Sequence, residues 1–163
     1  MKSFTQKQKE LSNLKDKVAK AKITIFTSFA REGEKGLSVS QMQELKKGLR
    51  ETDSEYLVEK KTLLNRALLG KNLDVFQYDG SLGVALGYGD GQLTAKSVYT
   101  FAKKNPALKY FSAIWNGKFL DLTQLTEFAK LPAKEVMIAR LLGMMRYPLQ
   151  ALAVTLKQIA DKK

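Results

Sequence analysis

The residues whose types and spacing most clearly suggest a binding site are basic. They lie where a predicted strand is followed by a predicted helix. Residues 55–60 alternate like a strand, and residues 62–69 have the composition of a short helix. The first backbone amides of a helix lack internal partners and carry partial positive charge, so they bind anions. Lys60 and Lys61 come just before that helix, and Arg66 follows one turn inside it. The segment predicts an anion site; the alternative is an ordinary helix start with solvated lysines.

Other basic residues could extend such a surface. Lys2 and the lysines of a predicted N-terminal helix belong to residues 1–22, where seven lysines face Glu10 and Asp16. A charged loop contains Lys35 and Gly36, and a glycine lets the backbone approach a phosphate closely. The whole chain has 28 Lys and Arg against 16 Asp and Glu, a formal charge of +12. This excess predicts attraction to a polyanion, either nucleic acid or an anionic membrane face, with a merely solubilising charge as the alternative.

The composition excludes most catalytic and metal chemistry. With no Cys and no His, the chain cannot form disulfides, zinc ribbons, iron-sulfur clusters or a histidine general base. Residues 87–91, Gly-Tyr-Gly-Asp-Gly, precede a predicted helix, but they lack the Lys-Ser/Thr of a P-loop and the spacing of a dinucleotide fingerprint. We expect a turn in which Asp90 caps the helix. No enzyme activity, metal or cofactor is predicted; the alternative is a nucleotide-binding enzyme that uses this turn.

Apolar spacing predicts helices and strands in alternation. Helices are expected near residues 5–21, 40–51, 62–69, 93–104 and 121–130, and strands near 23–29, 55–60, 81–88, 108–115 and 118–120. Two local signals are specific: Ser38 and Gln41 can form a capping box, and Asn116-Gly117 favours a tight hairpin. The predicted fold class is α/β. Residues 1–131 would form a compact domain with a mixed four- to five-stranded sheet flanked by helices.

The remaining residues, 132–163, predict one long C-terminal helical extension that begins at Pro132 and is kinked or loosened at Pro148. Its apolar residues recur at spacings of three and four over about 28 residues, or roughly 40 Å. They are Ile138, Leu141, Met145, Leu149, Leu152, Leu156 and Ile159, with Ala151, Ala153, Val154 and Ala160 widening the seam. A seam this long predicts partner binding. The alternatives are an amphipathic membrane anchor and a helix folded back on its own domain.

Membrane insertion and secretion are not expected. No stretch approaches the roughly 20 apolar residues of a membrane span. The N-terminal residues lack the apolar core of a secretory signal. The sequence therefore predicts a cytoplasmic protein.

Three segments carry a family resemblance. They read GLSVSQMQELKKGLR at residues 36–50, VEKKTLLNRA at residues 58–67 and LPAKE at residues 131–135. In this order, and with the long terminal helix, they resemble the family of the bacterial large-subunit ribosomal protein L-ten, the stalk base protein. The likeness covers nearly the whole chain. The sequence departs from the family in two places: Lys61 stands where the motif usually has Asn, and the C-terminal helix stops at Lys163, without the further helical segment that many relatives have.

The resemblance implies a function for each part of the chain. The N-terminal domain would bind large-subunit ribosomal RNA beside protein L-eleven, through Lys2, Lys35, Gly36, Lys60, Lys61, Thr62 and Arg66. The C-terminal helix would bind dimers of the stalk protein L-seven/L-twelve, which recruit translational GTPases, through Leu149, Leu152, Ala153, Leu156, Ile159 and Ala160. The short seam beyond Pro148 predicts one or two dimers. An RNA-binding module outside the ribosome and a membrane-surface adaptor are the other functions left open.

Overall fold

The computed structural model describes residues 4–30, 36–68, 80–132 and 134–161. The chain divides into two compact units, Met1–Lys130 and Leu131–Lys163. The first contains a β-sheet with helices on both faces, and the second contains a single long helix. The predicted α/β class with a helical extension is confirmed, but the sheet is antiparallel throughout its described strands rather than mixed as predicted. The helix end predicted at Gly70 lies outside the described residues.

The sheet of the first unit has five strands among the described residues. They are β1 (Ile23–Ala30), β2 (Ser54–Val58), β3 (Ser81–Gly87), β4 (Lys109–Trp115) and β5 (Lys118–Leu120). Their order is β2-β3-β1-β4-β5, and every neighbouring pair is antiparallel. Ile25 of the central strand pairs with Ala85 on one side and Ala113 on the other. The β-branched and aromatic residues predicted to form β1 therefore form the middle of the sheet.

Five helices cover the two faces of this sheet. They are α1 (Phe4–Lys20), α2 (Val39–Arg50), α3 (Lys61–Leu68), α4 (Gly91–Lys104) and α5 (Leu122–Lys130). Leu14 of α1 and Leu64 of α3 are buried in a cluster with Val84 and its neighbours, whereas α2, α4 and α5 contribute to a cluster around Ala85. Successive residues of a strand point to opposite faces. Helices α1 and α3 thus share one face of the sheet, and α2, α4 and α5 share the other.

Two predicted local signals are confirmed. The Gln41 amide donates to Ser38 Oγ at 3.3 Å, and the Ser38 amide donates to Gln41 Oε1 at 3.0 Å, which forms the capping box of α2. Asn116 and Gly117 have φ angles of 47° and 80° and join β4 to β5. Positive φ at both central residues is what a two-residue hairpin turn requires.

A buried tyrosine explains a glycine in strand β3. The Tyr56 side chain lies over Gly83, so a Cβ at position 83 would collide with its hydroxyl. Thr27 Oγ1 donates to the Gly83 carbonyl at 3.0 Å, which leaves Tyr56 to donate to Thr27 Oγ1 at 2.8 Å. Burial raises the pKa of Tyr56 to about 12. The neutral phenol is therefore part of the packed interior between β1, β2 and β3.

The second unit is the 28-residue helix α6 (Lys134–Asp161), which includes Pro148. None of its residues is buried. The prediction that Pro132 is the first helical residue is wrong, because the helix begins at Lys134. The fixed φ and missing N–H of a proline suit a position just before a helix as well as they suit its first residue.

Candidate nucleic-acid interface

The candidate interface begins where β2 is followed by α3. The amides of Leu63 and Leu64 donate to the Lys60 carbonyl at 2.9 and 3.1 Å, which closes the first turn of the helix. Leu64 is buried in the core and fixes the helix against the sheet. Lys60 is exposed at the positive end of the helix dipole. A strand and a packed helix thus hold this lysine where an anion would be attracted.

Helix α1 is fixed beside α3 by packing and by an ion pair. Leu14 and Val18 of α1 belong to the same buried cluster as Leu64 of α3. Lys17 Nζ lies 2.8 Å from Glu55 Oε1 and 2.9 Å from Oε2, so both carboxylate oxygens accept from one ammonium. This pair ties α1 to β2. The exposed lysines at the start of α1 are consequently held near the start of α3.

The ion pair extends to a tyrosine at the end of β3. Tyr88 Oη donates to Glu55 Oε2 at 3.4 Å. The hydrogen bond with Glu55 raises the pKa of Lys17, and burial raises the pKa of Tyr88, with the charge of Glu55 adding to it. The Lys17 and Glu55 side chains are 40% and 41% exposed. Solvent screening keeps such a pair weak, so the packing of Leu14 and Val18 contributes more to the position of α1 than the pair does.

A cleft of about 520 Å³ lies between α1 and the start of α3. Three cations, two carboxylates, two polar side chains and two leucines surround it. They are Lys7, Lys60, Arg66, Glu10, Glu59, Gln8, Thr62, Leu11 and Leu63. The cleft therefore brings together Lys60, Thr62 and Arg66, three of the residues predicted from the sequence. The sequence predicted Lys7 only as one of several lysines of the first helix. Glu59 was not predicted as a site residue, although it directly precedes Lys60.

The other predicted residues of this surface have separate positions. Lys61 is half-buried as the first residue of α3 and lies outside the lining of the cleft. Gly36 is exposed, and a Cβ there would lie 3.0 Å from Ala30 Cβ, because the Leu37 amide donates to the Phe29 carbonyl at 3.0 Å. A close return of the chain to β1 thus gives this glycine a packing role. Lys2 and Lys35 lie outside the described residues.

The turn after β3 has a structural role, as predicted. Asp90 Oδ1 accepts from the Gln92 amide at 3.0 Å and caps α4. A Cβ at Gly87 would collide with Thr94, and one at Gly91 would lie 3.3 Å from the Trp115 ring. Packing between α4 and the sheet therefore accounts for Gly87 and Gly91. Across the described ranges, no group of three acidic, His or Cys residues could hold a metal ion.

Helix α6 has an exposed apolar seam. Leu149 is 73% exposed, Leu152 and Leu156 are each 60% exposed, and Ile159 is 64% exposed. Ala153 and Ala160 are also exposed. The Thr155 hydroxyl donates back to the Leu152 carbonyl at 2.8 Å. Among the described helices, α6 included, none is both long and apolar enough to cross a bilayer.

The fold and its surfaces define a small basic α/β protein with a cationic cleft and an exposed apolar helix. Comparison with protein families identifies two matching regions. Residues 2–103 match the family described as "Ribosomal protein L10", and residues 131–163 match the "Ribosomal protein uL10 C-terminal region". Together these regions include the cleft and the whole of α6.

Individual relatives agree with the family match. The chain is 35% identical over 159 residues to the large ribosomal subunit protein uL10 of Clostridium acetobutylicum, covering 96% of this chain and 92% of the relative. It is 36% identical over 157 residues to the protein of the same name from Caldanaerobacter subterraneus subsp. tengcongensis, covering 94% and 86%. The chain belongs to the uL10 family of large ribosomal subunit proteins, which confirms the resemblance found in the sequence.

Family membership establishes the general role. The chain is a structural constituent of the large ribosomal subunit and is not an enzyme. It acts in translation as part of a ribonucleoprotein, and its location is that of the ribosome in the cytoplasm.

Proposed function

We propose that this chain connects large-subunit ribosomal RNA to the stalk protein L-seven/L-twelve. The first unit binds the RNA, and helix α6 binds stalk dimers that recruit translational GTPases. The proposed position, beside ribosomal protein L-eleven, is the one that the family resemblance implies. The observation that carries the proposal is the exposed apolar seam of α6, which needs another chain to cover it.

The first unit is suited to RNA through its cationic cleft. Lys60 and Arg66 are exposed at its edge, and the exposed Thr62 hydroxyl is a donor for a phosphate oxygen. Lys2, Lys35, Gly36 and Lys61 are proposed as further contacts. Contacts of this type neutralise phosphates and release counterions, which makes binding strongly dependent on salt. Four to six such contacts would give a slope of about −3 to −5 in log affinity against log salt.

Helix α6 is suited to a protein groove through the spacing of its exposed residues. Leu149, Leu152, Leu156 and Ile159 are separated by three or four positions, so they share one face. The exposed Ala153 and Ala160 leave room for a partner backbone beside that face. An amphipathic helix with such anchors binds by placing them in an apolar groove.

The number of dimers on α6 is a further part of the proposal. Helix α6 has 28 residues, which corresponds to about 42 Å. We propose one or two stalk dimers on this helix. Several mobile copies of a factor-binding domain tethered at one place raise its local concentration there, so a protein without catalytic groups can speed the arrival of factors.

Charged substitutions in the seam test the proposal. Leu152→Asp combined with Leu156→Asp would force carboxylates into an apolar groove, so stalk binding should be lost. The matched control is Gln150→Asp combined with Gln158→Asp, which adds the same charge at exposed polar positions of α6. Isothermal titration calorimetry measures stalk binding, and filter binding measures the RNA complex.

Three results separate the possibilities. Loss of stalk binding only in the leucine variant, with RNA affinity unchanged, supports separate surfaces. Retained stalk binding in the leucine variant refutes the assignment of the seam. Equal loss in the glutamine control would mean that charge on α6, rather than its apolar face, decides binding.

A further inference from the structure

The cleft between α1 and α3 has a composition that phosphate binding alone does not explain. Besides its three cations it contains the carboxylates of Glu10 and Glu59 and the side chains of Leu11 and Leu63. Carboxylates repel a phosphate, and leucine side chains give it no hydrogen bond. The ligand that fits the whole lining must combine negative charge, an apolar surface and hydrogen-bond donors.

The size of the cleft agrees with such a ligand. Its volume of about 520 Å³ lies within the range of roughly 300 to 1,000 Å³ of pockets that enclose a small organic ligand. Leu11 and Leu63 are half-buried and come from different helices, which offers apolar contact from two sides. A nucleotide with its base inside and its phosphates outside has the required properties. Proteins that recognise a specific RNA sequence commonly bind bases that are unstacked in this way.

We infer that the cleft admits one unstacked guanine of the bound RNA, an inference that rests on the proposed RNA-binding function. Its base lies against Leu11 and Leu63, and its flanking phosphates meet Lys7, Lys60 and Arg66. Guanine is the base whose Watson–Crick edge carries two adjacent donors, N1–H and the 2-amino group. A carboxylate accepts both at once, as it does from a bidentate partner.

Glu59 is the residue assigned to this edge. It is half-buried and directly follows Val58, which pairs with Gly83 at the end of β2. The sheet therefore limits the positions that its backbone can take. Glu10 lies on α1 and already takes part in another interaction within the fold, whereas Glu59 acts on Lys17 only through its charge, without a hydrogen bond. Glu59 consequently selects guanine, while the three cations provide affinity without regard to sequence.

Replacement of guanosine by inosine provides a specific test, because inosine lacks only the 2-amino group. Large-subunit ribosomal RNA is transcribed with inosine scattered at low density and mixed with the full-length chain. The positions of inosine are then determined in the bound and in the unbound RNA and compared. Wild-type protein, Glu59→Ala and the matched variant Glu44→Ala are compared. Glu44 is exposed on α2, so its removal reports the general effect of losing one negative charge.

The expected result is one guanosine at which inosine weakens binding by about tenfold, the effect of losing one hydrogen bond to a charged group. That sensitivity should disappear with Glu59→Ala and persist with Glu44→Ala. Tolerance of inosine at every position overturns the inference, as does a sensitive guanosine that stays equally sensitive with Glu59→Ala. In both cases RNA binding itself stands. If unsubstituted RNA fails to bind the wild-type chain, the proposed function and the inference fail together.

Discussion

Removing two cations of the cleft should change how RNA binding depends on salt. Lys60 and Arg66 are both exposed and line the same cleft, so each can neutralise one phosphate. Each neutralised phosphate contributes about 0.7 to 0.9 to the slope of log affinity against log salt. Lys60→Ala combined with Arg66→Ala should therefore reduce the magnitude of the slope by about 1.4 to 1.8.

The assay is fluorescence anisotropy with labelled large-subunit RNA at KCl concentrations from about 50 to 200 mM. Over that fourfold range, the affinity advantage of the wild type over the variant should shrink by about sevenfold to twelvefold. Lys103→Ala combined with Lys104→Ala is the matched control. Both residues are exposed in the last turn of α4, which packs on the opposite face of the sheet from α1 and α3.

Two outcomes would contradict this prediction. An unchanged slope in the Lys60 and Arg66 variant would mean that the cleft contacts no phosphate. An equal change in the control would mean that binding senses total charge rather than this surface. Thermal unfolding of both variants, followed by circular dichroism, checks that the fold is retained.

Three further predictions concern the fold that holds the cleft. Gly83→Ala should destabilise the chain by about 1 to 3 kcal/mol in urea unfolding because the new Cβ meets the Tyr56 hydroxyl, and by less in a Tyr56→Phe background; equal costs in both backgrounds would contradict the packing. The pKa of Tyr56 is raised to about 12 in the fold, so the buried neutral phenol stabilises the folded chain below pH 10. This contribution to the free energy of unfolding, up to about 3 kcal/mol, is lost as pH rises from 10 through 12. Tyr56→Phe should remove this alkaline loss. Glu55→Gln should cost less than about 1 kcal/mol, and the cost should nearly vanish in about 1 M NaCl, since its pair with Lys17 is exposed to solvent.

Features set by neighbouring residues were predictable from the sequence. The capping box of α2 depends on Ser38 and Gln41, three positions apart, and the hairpin depends on the adjacent Asn116 and Gly117. Asp90 as the cap of α4 is equally local. In each case the backbone geometry follows from the side chain or the permitted φ of one or two residues. The strand and helix order followed from the same kind of signal.

Features that join distant segments could not be predicted in this way. The sheet order depends on which strands pair, and nothing local in β3 shows that it lies between β2 and β1. The need for glycine at position 83 arises from Tyr56 on the neighbouring strand. The cleft likewise forms only where α1 packs beside the start of α3, so that Lys7 and Lys60 line the same space. Sequence reasoning found the basic residues but not the carboxylates and leucines among them.

The proposed function requires two binding surfaces, one for RNA and one for the stalk. Native mass spectrometry of large subunits reconstituted with this chain and the stalk protein measures both at once. Wild-type chain should be present with one or two stalk dimers, and the Leu152→Asp, Leu156→Asp chain should be present with none. Three dimers on the wild type, or dimers retained on the variant, would contradict the proposed function.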